Sequence, residues 1–290
     1  MPGCPWFTLA LTLQPAEAAG GPVWAWGVVA LAVLLIGVTK SGFGAGVGLF
    51  IVPMTALAMA HLPAGETATL GLMLPLLIAG DLIAVTQYRR LLDARLLRML
   101  LWPTAVGVVL GGAMLWGIHR VGRDNAELAA ALIRLEIGVE CVVLVALHYY
   151  GLLRGIERRL LREPLRSWLS GTYAGVSSTL AHAAGPIIAL YLLPLKLPRE
   201  RFVGTCAMYF FALNTAKLPA YVLAGQFEKA SPLTTLAWLP LVLLGALLGR
   251  WIVRRVSERV FGHLVYTMTL LTGGYLVADG AWRLWTGLLG

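Results

Sequence analysis

Lys40-Ser-Gly-Phe-Gly-Ala-Gly-Val-Gly48 and Ser177-Ser-Thr-Leu-Ala-His-Ala-Ala-Gly-Pro186 each interrupt a long apolar segment with small and polar residues. Backbone that leaves the helix at membrane depth is tolerated only where protein buries it or a water-filled cavity meets its free N–H and C=O groups. Two such breaks, in corresponding places of two halves of a chain, point to a transporter.

Composition agrees. The chain has 290 residues, 59% of them hydrophobic and 13% charged. Apolar runs of about twenty residues, the length of a helical span, recur along it. A transmembrane β-barrel would instead need alternating strands of about ten residues. The net charge of +9 sits in basic clusters between apolar runs, where the positive-inside rule explains it, so no nucleic-acid partner is expected. Cys4, Cys141 and Cys206 are far apart and form no CxxC or Cys/His metal spacing. No GxxxxGK[ST] loop occurs. Neither a metal nor a cofactor is expected. Residues 1–21 read as a separate N-terminal segment, disordered or a signal, although no positively charged n-region leads it.

Charge counting sets the topology. Spans are expected near 67–88, 97–118, 128–150, 202–225, 232–250 and 262–286, with interrupted segments at 22–60 and 167–195. Four connecting stretches are basic: Arg89, Arg90, Arg95 and Arg98; Arg154, Arg158, Arg159, Arg162 and Arg166; Lys196, Arg199 and Arg201; and Arg250, Arg254, Arg255 and Arg259. These are expected in the cytoplasm. The stretches at 154–166 and 196–201 are both basic, yet the 29 residues between them are too few for two full crossings at about 1.5 Å per residue. Segment 167–195 must therefore enter and return, as two half-helices broken near His182. The same reasoning places a second hairpin, 22–60, on the outside. The fold expected is an all-α polytopic membrane protein of two inverted repeats, each a broken re-entrant helical hairpin followed by three transmembrane helices. The first repeat covers 22–150, a basic cytoplasmic linker 151–166, and the second repeat 167–290.

The candidate site residues cluster at the breaks. Lys217 lies inside an apolar span, where a cation costs about 2.5–3.5 kcal/mol unless it faces a cavity or a partner. It is read either as an anion-binding residue or as the ion-pair partner of Asp81. Lys40 lies at the first break, read as a binding residue or as snorkelling to an interface. Ser41, Gly42, Gly44, Gly46 and Gly48 permit a tight backbone that approaches a ligand, while the small-xxx-small spacing also fits close helix contact. Ser178, Thr179 and His182 offer hydroxyl and imidazole groups at the second break, and Gly185-Pro186 fits the start of its returning arm. Asn214 shares approximately one face with Lys217. Asp81, Glu136, Glu140 and His182 are candidates for coupling or ion pairing; Glu136 and Glu140 are one turn apart, with Arg134 as a candidate partner of Glu136. Asp279 and Arg283 read as an interfacial pair.

At these residues the chain resembles the sulfite exporter TauE/SafE family of membrane transporters. The resemblance rests on the glycine-rich first break running into Val52-Pro53, Ala79-Gly-Asp81 followed by Tyr88-Arg-Arg90, the stretch Ser177 to Pro186, and Tyr191-Leu-Leu-Pro194. Phe202-Val-Gly-Thr205 and Asn214-Thr-Ala-Lys-Leu-Pro219 through Gly225-Gln-Phe227 complete it. Where the commoner pattern has a run of glycines, this chain has Ala181-His-Ala-Ala. The resemblance implies a multi-pass secondary transporter of the bacterial inner membrane and no enzyme. Its solute would be a small sulfur-containing anion such as sulfite or an organosulfonate, often moved outward. Two alternatives are a membrane-embedded hydrolase of the polyprenyl-diphosphate phosphatase type, whose Ser-Arg loop is not found at either break, and an anion channel.

Overall fold

The computed structural model describes residues 20–42, 50–65, 68–88, 91–150, 163–192, 195–228, 230, 235–253 and 258–289. Gly44, Gly46, Gly48, most of the N-terminal segment and most of the 151–166 linker lie outside the described residues. Among the described residues every regular element is helical: α1 (Val23–Gly42), α2 (Ile51–Met59), α3 (Thr69–Tyr88), α4 (Ala94–Asp124), α5 (Ala126–Tyr150), α6 (Leu165–Ala181), α7 (Ala184–Leu192), α8 (Arg199–Ala216), α9 (Leu218–Leu223), a 3-10 turn (Leu236–Trp238), α10 (Leu239–Val253) and α11 (Glu258–Leu289). Val23–Ser41, Thr69–Tyr88 and Ala94–Val121 are long and apolar enough to cross a membrane.

Two expectations change in detail. The interrupted segments are not pairs of half-helices: their first arms, α1 and α6, have 20 and 17 residues, and their second arms, α2 and α7, have nine each. At about 1.5 Å per residue α1 alone is about 30 Å long. The expected span 202–225 is divided at Lys217, between α8 and α9. Pro219, in the first turn of α9, has no N–H to return to Thr215, so the regular ladder cannot continue through this point.

The first arms of the interrupted segments pack against helices from the other half of the sequence. α1 lies along α10, α6 lies along α4, α3 meets α8 and α5 meets α11. The α1–α10 and α6–α4 seams are built from small residues. A Cβ added at Gly245 of α10 would stand 3.2 Å from Gly37 Cα of α1, and one at Gly249 2.6 Å from Ser41 Oγ. In the other seam, a Cβ at Gly175 of α6 would stand 2.9 Å from the carbonyl carbon of Gly107 of α4, and one at Gly111 2.9 Å from Thr179 Cβ. Glycine spaced by four residues lets backbones approach this closely. The hydroxyls of both arms turn back on their own helices, Ser41 Oγ donating to Gly37 O at 2.9 Å and Thr179 Oγ1 to Gly175 O at 2.8 Å.

Apolar packing follows the same grouping. One core gathers α1, α2, a face of α3 and α10 around Ile36, Met73, Trp238 and Val242. The other gathers α4 to α9 around Leu100, Ile137, Ile188 and Tyr209. At one end Asp93 caps α4 by accepting from the Arg95 and Leu96 amides at 3.1 Å. Its own amide donates to Thr205 Oγ1 of α8 at 3.0 Å.

Candidate functional site

The end of α6 fixes the site. His182 follows its last residue in the left-handed conformation, φ 52° and ψ 27°. That region is sparsely occupied by residues with a Cβ, histidine being among the less rare. The turn closes through His182 N donating to Ser178 O at 3.0 Å and Ala183 N to Ser177 O at 3.4 Å. α7 then begins at Ala184, so Gly185 and Pro186 occupy its first turn, where a missing N–H is harmless. The result is an imidazole and two serines presented at a helix break.

Lys217 reaches into this break from the joint between α8 and α9. Its side chain is 0% exposed. As an ammonium it has three N–H donors, and three acceptors surround it: Ser178 O at 3.0 Å, Ser178 Oγ at 3.0 Å and His182 Nδ1 at 2.8 Å. An acceptor role for Nδ1 puts the ring proton on Nε2. Nε2 stands 3.4 Å from both Leu70 O and Tyr221 Oη. The Tyr221 hydroxyl in turn donates to Thr179 O at 2.8 Å.

A second polar cluster lies within electrostatic reach of the first. Asp81 of α3 is wholly buried and pairs with Lys40 of α1, Nζ to Oδ1 2.6 Å. Asn214 of α8 donates to its other oxygen at 2.6 Å. Lys40 Nζ also sits 4.6 Å from the centroid of the Phe210 ring, a cation–π distance. Asp81 is therefore the partner of Lys40 rather than of Lys217, which makes no ion pair among the described residues. With Lys217 an ammonium and His182 a neutral imidazole, Lys40 and Asp81 cancel and one positive charge is left at the break.

The structure thus brings together Lys40, Asp81, Asn214, Ser178, His182 and Lys217 from both halves of the sequence. Ser41 and Thr179 go elsewhere, their hydroxyls spent on the two helix seams, with Ser41 Oγ also 3.0 Å from Ala246 O of α10. Gly42 is the last residue of α1. Glu136 and Glu140 lie at a separate place between α5 and α6. Arg134 bonds Asp279 of α11, which is also held by Arg283 at 2.8 Å, whereas Glu136 makes no ion pair among the described residues. Sequence reasoning missed Tyr221, although its place one turn after Lys217 is a usable signal.

The family model described as Sulfite exporter TauE/SafE matches residues 29–276. The chain belongs to the TauE/SafE sulfite exporter family. Its apolar helices and this membership make it a membrane transport protein, and the family points to sulfur-containing anions as the solutes. Comparison with curated proteins and with solved structures gives no match.

His182 offers a test of the TauE/SafE site that separates backbone from imidazole. Replacing it with glycine relieves a left-handed residue of about 1–2 kcal/mol, while removing a hydrogen bond to a charged group worth about 1.5–3 kcal/mol. His182→Gly is expected to melt within a few degrees of the wild type and to lose anion flux about tenfold or more, as Lys217 loses one of three tethers. Melting in detergent and flux in proteoliposomes check it. A large drop in melting temperature would make the imidazole a structural group instead.

Proposed function

We propose that this TauE/SafE protein is a multi-pass secondary transporter of the bacterial inner membrane that moves small sulfur-containing anions, sulfite or organosulfonates, outward. Lys217 anchors the anion at the second break, with Ser178 and His182 holding the ammonium in place. Lys40, Asp81 and Asn214 frame the site from the first hairpin and from α3 and α8. The observation that carries this reading is Lys217 itself, fully buried with all three donors on neutral acceptors and no carboxylate paired to it among the described residues. An intramembrane cation of this kind is functional by default. An oxyanion reaching it would displace one of the three neutral acceptors and take a charge-assisted hydrogen bond in its place.

Inverted repeats are supported by the way packing partners exchange. Interchanging α1–α5 with α6, α7, α8 joined to α9, α10 and α11 turns the α1–α10 seam into the α6–α4 seam, and leaves α3–α8 and α5–α11 unchanged. Ser41 and Thr179 then take equivalent places, each against a Gly-xxx-Gly pair. On this reading each moving unit is a hairpin together with the span it seams to, so it crosses the sequence halves. Alternating access then opens the site between the two units.

The test is counterflow of radiolabelled sulfite in proteoliposomes, with taurine, sulfoacetate, thiosulfate and sulfate as unlabelled competitors. Saturable exchange, reduced by at least one of these anions and untouched by neutral dimethyl sulfone, is the expected result. Unitary currents in bilayer recordings would favour a channel, and absence of any saturable exchange would remove these solutes.

A further inference from the structure

One stripe of α8 connects the two polar clusters. Phe210, Asn214 and Lys217 are spaced by four and then three residues, which places them on one helical face. Lys217, the cap of α8, keeps helical angles, φ −75° and ψ −19°. From this face the Phe210 ring meets Lys40 Nζ, and Asn214 Nδ2 donates to Asp81 Oδ2 at 2.6 Å. The Lys40–Asp81 pair therefore stands beside Lys217 along a single helix, one turn away.

The charges on this face do not balance. Lys40 Nζ and Asp81 Oδ1, 2.6 Å apart, cancel. His182 Nδ1 accepts from Lys217 Nζ at 2.8 Å, and a ring nitrogen that accepts carries no proton, so the imidazole is neutral. The other two partners of Lys217, the carbonyl and hydroxyl of Ser178, are neutral as well. Lys40 and Asp81 are the charges acting on Lys217, and Glu136 and Glu140 are not among them. With Lys217 an ammonium, one positive charge is left for a solute to meet. A monoanion brings the buried site to zero. A dianion overshoots and leaves one uncompensated negative charge out of water, which is strongly disfavoured. An unpaired buried charge rejects the wrong ligand as effectively as a clash does.

We propose that the site selects monoanions, sulfonates and hydrogen sulfite, over dianions, and that Asp81 sets this valence by neutralising Lys40. The inference rests on the anion reading of Lys217 and deepens it by naming the charge of the solute. It also supplies a driving force. Loaded with a monoanion, the site is neutral and its movement does no electrical work. Empty, it carries one positive charge, and an inside-negative membrane potential favours its return toward the inside. One negative charge then leaves in each cycle, so outward transport needs no co-moving ion.

Methanesulfonate and sulfate test the charge rule, because they are nearly the same size and hold one and two negative charges throughout the neutral range. Full-length wild type in proteoliposomes should exchange radiolabelled methanesulfonate faster than radiolabelled sulfate by about tenfold or more, the penalty for one uncompensated buried charge. Asp81→Asn keeps an oxygen for Asn214 and leaves Lys40 uncompensated, so its ratio should shift toward sulfate by about tenfold or more. Lys40→Met combined with Asp81→Leu removes both charges and should return the ratio to that of the wild type, whatever the absolute rate. Net methanesulfonate efflux should quicken under an inside-negative potential set with potassium and valinomycin. One-for-one exchange moves only the neutral loaded site and should not respond. The wild-type ratio and its response to potential hold independently of any variant. Sulfate exchanged as fast as methanesulfonate, a ratio unchanged in folded Asp81→Asn, or net efflux indifferent to potential overturns the proposal. Exchange of sulfate alone overturns it while leaving the anion reading of Lys217 intact, whereas exchange of no anion removes both.

Discussion

Lys40→Met is expected to destabilise the protein by about 3–5 kcal/mol, the cost of removing one partner from a buried ion pair, and adding Asp81→Leu to the same chain to restore most of the loss. The asymmetry comes from burial. Lys40 is 14% exposed in its side chain whereas Asp81 is 0% exposed, so removing the lysine leaves the carboxylate with Asn214 as its one remaining hydrogen-bond donor among the described residues. Asp81→Leu alone leaves the less buried partner and should cost less. A double-mutant cycle isolates the pair, read as melting in detergent under one lipid and salt condition. The pair ties α1 to α3, and Asn214 ties α3 to α8, so its loss loosens the contact of α1 with α3 and α8. Additive losses in the double variant would show that the pair contributes little, and that Lys40 acts elsewhere. Flux in the restored double variant then separates a structural tie from a binding role for Lys40.

The sequence made the helical membrane class legible, because apolar length and the sorting of arginines are properties of the chain alone. Parity of basic loops led to the expectation of two hairpins, and apolar surroundings marked Lys217, Asp81 and His182 as residues out of place at membrane depth. What it lacked was any signal for pairing between distant residues. Asp81 and Lys217 hold roughly corresponding places in the two halves, which makes their pairing one of two readings of Lys217, while the choice between Lys217 and Lys40 depends on which helix faces α3, and nothing local encodes that. Ser41 and Thr179 looked like site residues because they are polar and near a break. In the folded chain they are the small members of two seams whose opposing glycines lie far away in sequence, at 107 and 111 for Thr179 and at 245 and 249 for Ser41. The division at Lys217 was readable in Pro219, but an apolar run long enough to span outweighs one proline in a hydropathy reading. Arg134 and Asp279 are 145 residues apart, and the nearer Glu136 was the more obvious partner on sequence grounds.

Lys217→Met should do the opposite of Lys40→Met: cost little or no stability and remove transport. Both lysines lie within the helical body, but their surroundings differ. Lys40 neutralises a buried carboxylate. Lys217 neutralises nothing and brings a full charge out of water, a cost of several kilocalories per mole even after relaxation. Methionine has a similar unbranched shape and packs adaptably, so the exchange removes the desolvation cost and gives up three hydrogen bonds. A melting temperature equal to or above the wild type is the expected outcome, the usual relation between a stability cost and a functional site. Flux should fall by about two orders of magnitude, since a hydrogen bond to a charged group contributes about 1.5–3 kcal/mol and no second unpaired cation stands beside the break among the described residues. Lys217→Arg is expected to retain the charge but only part of the flux, because a planar guanidinium does not reproduce three donors converging on Ser178 and His182. A methionine variant that transports as the wild type does would remove Lys217 from the site, and one that melts as early as Lys40→Met would make it a structural residue.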